Sequence, residues 1–146
     1  MGLDAIVYRA SESIGLDAED MSAAIVDGQT GEVYFEAPNL EAKYGRDKFV
    51  ATEKRLGNVS HIALIRSQIP IEISSSIPLL LNNILRSGSH SGDVIGSELL
   101  DELEAEIHLV RRKTAGKELL ALDGFLDDMM DLAEVARSQK HPIVFV

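Results

Sequence analysis

The chain contains no cysteine and no tryptophan. The first absence excludes disulfides, thiolate nucleophiles, iron–sulfur clusters and cysteine-rich zinc sites, and it suits a reducing compartment. Aromatic side chains of any kind are few: three tyrosines and four phenylalanines in 146 residues. The core must therefore be aliphatic, with four methionines as gap fillers. No apolar run reaches the ~18 residues expected of a transmembrane helix. The opening "MGLDAIVYRASE" lacks a basic segment followed by a long apolar stretch, so it does not read as a secretory signal, and it lacks a lipidation motif. A cytoplasmic location is expected.

Positive charge is also scarce. Fourteen basic residues face twenty-four acidic ones, a formal net charge of −10. Residues 1–50 carry four basic and ten acidic side chains, residues 51–97 four and three, and residues 98–146 six and eleven. Such a chain repels phosphate backbones and anionic lipid, so neither nucleic acid nor a membrane is expected as a partner. A basic protein would be attracted and steered. The plainer alternative is that the acidic surface only keeps the protein, or a homo-oligomer of it, in solution.

What is present reads as one α+β domain spanning residues 1–146, a length that buries roughly 70% of the unfolded surface. "LDAIVYR", residues 3–9, is β-forming. "AAIVDGQTGEVYFE", residues 23–36, is two β-type runs around a Gly-containing turn and predicts a hairpin, with Val33 and Phe35 on one face and Tyr34 on the other. Residues 49–51 read as a short strand or a first helical turn. From Leu56 to Ile69 the apolar spacing is helical and Pro70 ends it. "SSSIPLLLNNILRSG" predicts a buried helix capped by Ser75 or Ser76, with Pro78 in its first turn and Gly88 as a left-handed stop.

Residues 97–113 predict an amphipathic helix capped by Ser97. Leu99, Leu103, Ile107 and Val110 form its stripe, and Asp101, Glu102, Glu104, Glu106 and His108 fall on the other faces. Residues 117–139 predict a last long helix. "PIVFV" reads as a strand whose natural partner is residues 5–8. The expected architecture is a small, mostly antiparallel sheet of the N-terminal strand, the hairpin and the C-terminal strand, packed against about four helices.

The densest cluster of reactive side chains is "RSGSHSGD", residues 86–93. His90 offers a base, Asp93 its orienting partner, and Ser89 or Ser91 a nucleophile. Yet the spacing is neither a nucleophile elbow nor a phosphate loop, and a polar turn between two helices explains most of it. Arg46 and Arg55 flank the start of the Leu56–Ile69 helix, where an anion could bind, or they are solvated surface charge. His61 would complete a metal site only if the fold brought it to His90. No metal and no cofactor is expected. The aspartates at 123, 127, 128 and 131 lack the calcium-loop pattern and read as a solvated helix face.

An opening "MGLDA", a central "RLGNVSHIALIR", "ILRSGSHSGD" before an acidic leucine-rich helix and a "PIVF" ending together resemble a group of small bacterial proteins to which no function is assigned. The resemblance implies a bacterial, intracellular, single-domain protein and carries over no catalytic residue. The expectation is therefore a non-catalytic protein-binding module of the immunity or antitoxin type. It would neutralise a basic partner such as a toxin through Asp101, Glu104, Asp127 and Asp128. The alternative is a small enzyme or anion-binding domain using the Ser-His-Ser-Gly-Asp turn with Arg46, Arg55, His61, Ser89, His90 and Asp93.

Overall fold

The computed structural model describes residues 2–88 and 90–146. Four strands form an antiparallel sheet: β1 (Leu3–Tyr8), β4 (Val50–Gly57), β5 (Val94–Ile95) and β6 (Ile143–Phe145), in the order β4-β1-β6-β5. The chain ends meet inside it, with Ala5 opposite Phe145 and Ile6 opposite Val144. Leu3, Ala5 and Val7 join the main aliphatic core on one face; Ile6 and Val144 are buried on the other. Burial on both faces explains why "AIV" is a continuous apolar run rather than an alternating one.

The predicted hairpin forms, as β2 (Ile25–Val26) and β3 (Val33–Tyr34), with Val33 and Phe35 buried and Tyr34 exposed. It makes a two-stranded sheet of its own, because β1 is already paired on both edges, by β4 and β6. Its turn is closed by Asp27, whose carboxylate accepts from the backbone N–H groups of Gln29 and Thr30. Gly31, at φ +81°, brings that turn against His141, so closely that a Cβ would meet the imidazole at 2.6 Å. The His141 ring in turn contacts the Tyr8 carbonyl at 2.8 Å. Two short helices, α1 (Ala18–Ala23) and α2 (Pro38–Lys43), flank the hairpin.

The main helices cover the opposite face. They are α3 (Val59–Gln68), α4 (Leu100–Lys113) and α5 (Leu120–Gln139), with α5 lying across β1 and β4. No described helix is long and apolar enough to cross a membrane.

Several local expectations are corrected. The helix expected from Leu56 begins at Val59. Leu56 belongs to β4, and Asn58 caps α3 by accepting from the His61 backbone N–H. Residues 51–57 form an edge strand with three consecutive charges, Glu53, Lys54 and Arg55, and only Leu56 buried, so no apolar alternation marks it as a strand. Ser75 and Ser76 lie in a 3-10 turn, Ile71–Ser76, and cap nothing. The following helix, Leu79–Ile84, is wound in the π form. Gly88 is not left-handed; Gly92 is, at φ +85°. Gly88 is needed for closeness, since a Cβ there would fall 2.6 Å from the Val59 Cα. Ser97 makes no cap bond, and the chain enters α4 through a 3-10 turn at Ser97–Leu99. Glu106, expected on a solvated face, is buried.

Candidate functional site

The polar stretch 86–93 closes the C-terminal end of the π-wound helix. The His90 Nε2 lies 2.8 Å from the Ile84 carbonyl, one of the acceptors that a helix end leaves without an internal partner. That contact needs a proton on Nε2, which donates to the carbonyl. The other ring nitrogen, Nδ1, sits 2.9 Å from Asp93 Oδ2, off the line a hydrogen bond requires. Asp93 accepts from Arg86 at 2.8 Å. Arg66 of α3 donates to the carbonyls of Leu85 and Arg86. The backbone then joins the sheet: the Gly92 N–H donates to the Phe145 carbonyl, and the Phe145 N–H donates to the Asp93 carbonyl.

This geometry does not suit nucleophilic catalysis. A base must hold a free nitrogen toward the nucleophile. Here Nε2 faces a main-chain carbonyl and Nδ1 faces a carboxylate, and His90 is only 6% exposed. Ser91 is exposed, and Ser89 lies outside the described residues. His61 is exposed on α3. Among the described residues no three His, Asp or Glu side chains gather to hold a metal ion. Arg55 is exposed on β4, its guanidinium lying over Gly2.

The other end of the same helix is closed by Glu106, which reaches across from α4. Its Oε2 accepts from the Leu79 N–H at 3.1 Å and its Oε1 from the Leu80 N–H at 2.9 Å. Burial pushes this carboxyl above the ordinary carboxylate range, although the two backbone donors pull it down. A carboxylate at the N-terminal end and a guanidinium at the C-terminal end both complement the dipole of the buried helix.

Asp101, Glu104, Asp127 and Asp128 lie on α4 and α5, each beside a cation of this same chain. Arg137 bridges Asp101 at 3.1 Å and Glu104 at 2.9 Å. Arg111 meets Asp127 at 2.6 Å, and Lys54 lies between Asp128 and Asp131 at 3.8 and 3.2 Å. These residues therefore offer a partner less negative charge than their number implies.

Arg46 is placed differently. It lines a cleft of about 310 Å³ between the hairpin, the end of β1 and the segment from α2 to β4. Tyr8, Tyr34, Phe35, Tyr44 and Phe49 wall this cleft, five of the seven aromatic residues of the chain. Phe35 and Tyr44 stack with centroids 6.0 Å apart, and Phe49 meets both edge-on. Tyr44 is fixed at its far end, where its hydroxyl donates to the Asp20 carboxylate that also accepts from Lys43 at 2.6 Å. Lys43, and after it Tyr44, hold the Asp20 carboxyl below the ordinary range. Glu32 and Glu41 stand at the rim. Burial, and next the charge of Glu32, hold the Tyr8 hydroxyl above the ordinary phenol range.

No family model, curated protein or solved structure matches this chain. The site must therefore be judged on its own geometry. By its aromatic lining the cleft is the strongest candidate, since small ligand sites are concave, apolar-walled and carry a few placed polar groups. Sequence reasoning found Arg46 but missed the aromatic walls. A signal existed: in a chain poor in aromatic residues, five of the seven fall between Tyr8 and Phe49.

Proposed function

We propose that this protein is a non-catalytic binding module of the immunity or antitoxin type, acting in the cytoplasm of a bacterial cell, and that it neutralises a basic protein. The observation that carries the reading is the aromatic cleft with Glu32 and Glu41 at its mouth. Stable interfaces need a desolvated apolar or aromatic anchor as well as charge, and this cleft combines the two. The net charge of −10 supports long-range attraction of a basic partner. The acids of α4 and α5 are assigned the outer, steering part of that attraction rather than the anchor. The enzymatic alternative at residues 86–93 is not favoured, because His90 is buried with Nε2 on the Ile84 carbonyl and Nδ1 turned toward the Asp93 carboxylate rather than toward a nucleophile.

The test is affinity purification of the tagged full chain from native cells at low salt, with bound proteins identified. The expected result is one stoichiometric basic protein that is released at high salt and lost from a Tyr34→Ala variant. Expression of that protein alone should arrest growth, and co-expression with this chain should restore it. Recovery of no stoichiometric partner, or of one indifferent to salt and to Tyr34, would overturn the proposal.

A further inference from the structure

We infer that the aromatic cleft is a binding site for a guanidinium group, supplied by an arginine of the basic partner or by a free guanidinium compound. The inference deepens the reading above and takes from it the positive sign of the ligand. The cleft itself supplies the rest. Its walls are aromatic side chains, and a planar, weakly hydrated guanidinium stacks on such rings better than a compact ammonium does. Its rim carries Glu32 and Glu41, exposed and without a salt-bridge partner among the described residues. Carboxylates match the donor fork of a guanidinium in pairs of parallel hydrogen bonds.

One guanidinium is already accommodated there. Arg46 lines the cleft and donates to both oxygens of Glu53, at 3.0 and 3.1 Å. That pair is neutral, so the two rim carboxylates remain in excess. Other cations lie near the cleft, so the balance is read at Tyr8. Lys43 and Lys48 hold their ammonium groups 5.4 and 5.3 Å from the Tyr44 ring centre, but Lys43 is committed to Asp20, leaving Lys48 in opposition together with Arg9, whose guanidinium donates to the Val50 carbonyl at the cleft wall. The field at Tyr8 is negative on balance: Glu32, Glu53 and Asp27 disfavour its phenolate, and Arg46 only partly offsets them. An anionic ligand would have to displace Glu53 from Arg46 while facing Glu32 and Glu41. A volume of about 310 Å³ suits one side-chain head or a small molecule.

The test follows the tyrosine ring resonances of the full chain during titration with ethylguanidinium, propylammonium and inorganic phosphate. Saturable shifts at Tyr8, Tyr34 and Tyr44 are expected with ethylguanidinium, several-fold tighter than with propylammonium. The Glu32→Gln/Glu41→Gln double variant, both positions being exposed, should weaken ethylguanidinium about tenfold, the loss of one charge-assisted contact. An amidated Gly-Arg-Gly peptide separates the sources: tighter binding than ethylguanidinium assigns a protein arginine, and equal or weaker binding assigns a free compound. No saturable shift, equal affinity for propylammonium, preference for phosphate, or indifference to the double variant would each overturn the inference. If ethylguanidinium binds but no basic partner is recovered, the partner reading fails and the cleft chemistry stands. If a partner is recovered but ethylguanidinium does not bind, the partner docks without this chemistry and the inference falls.

Discussion

Removing the Glu106 carboxylate would leave the amides of Leu79 and Leu80 without acceptors inside an apolar layer. Leaving such donors unpaired costs about 1–3 kcal/mol each. The carboxyl is itself raised above its ordinary value of 4.5, so near that pH the native state holds more protons than the unfolded chain. Stability then falls as pH rises through the window between 4.5 and the native value, the reverse of the usual salt-bridged carboxylate. Glu106→Gln keeps one acceptor and abolishes the titration. In urea unfolding at a series of pH values from acid to neutral, the wild type should lose stability relative to Glu106→Gln as pH rises; parallel curves would refute this account. The burial of Glu106 was legible in part. It sits three residues after Leu103 and four before Val110, within the helical stripe, but a carboxylate is read as solvated unless its distant partner is known. That partner lies at residues 79 and 80, and no local pattern announces it.

The elements were legible where one face is buried and the other is wet, and less so elsewhere. The hairpin, α4, α5 and the pairing of the terminal strands follow from period and turn chemistry. The Leu79–Ile84 helix is buried at Leu79, Leu80 and Ile84, and its π winding leaves no periodic signature. Its ends are closed from other elements, by Glu106, Arg66 and His90, so Ser75, Ser76 and Gly88 misled as local caps. The turn that follows is where close packing matters most. Gly88→Ala would drive a methyl group into the backbone of Val59 at the start of α3, with no flexible side chain to give way. The expected cost is about 1–3 kcal/mol, as for other overpacked sites. Calorimetry should show a lower Tm for Gly88→Ala, whereas Gly124→Ala, with open space around it in mid-helix, should be neutral or stabilising.

Across the whole molecule the surplus of carboxylates outweighs the cross-helix pairs. Exposed ion pairs such as Arg137 with Asp101 and Arg111 with Asp127 contribute ~0–1 kcal/mol each. Self-repulsion at a net charge of −10 acts on the compact state as a whole. Raising sodium chloride screens both, and repulsion is the larger quantity, so Tm should rise with salt near neutral pH. A fall in Tm would mean that the α4–α5 pairs dominate. The same sheet that unites the molecule also orders its assembly in time. Because β6 lies between β1 and β5, one edge of β1 has no native partner until residues 143–145 have been synthesised. A growing chain can pair β1 with β4 early, but it carries Ala5 and Ile6 on an open edge until residues 143–145 follow. The interval before residues 143–145 emerge is therefore when this edge is most exposed to mispairing with a second chain.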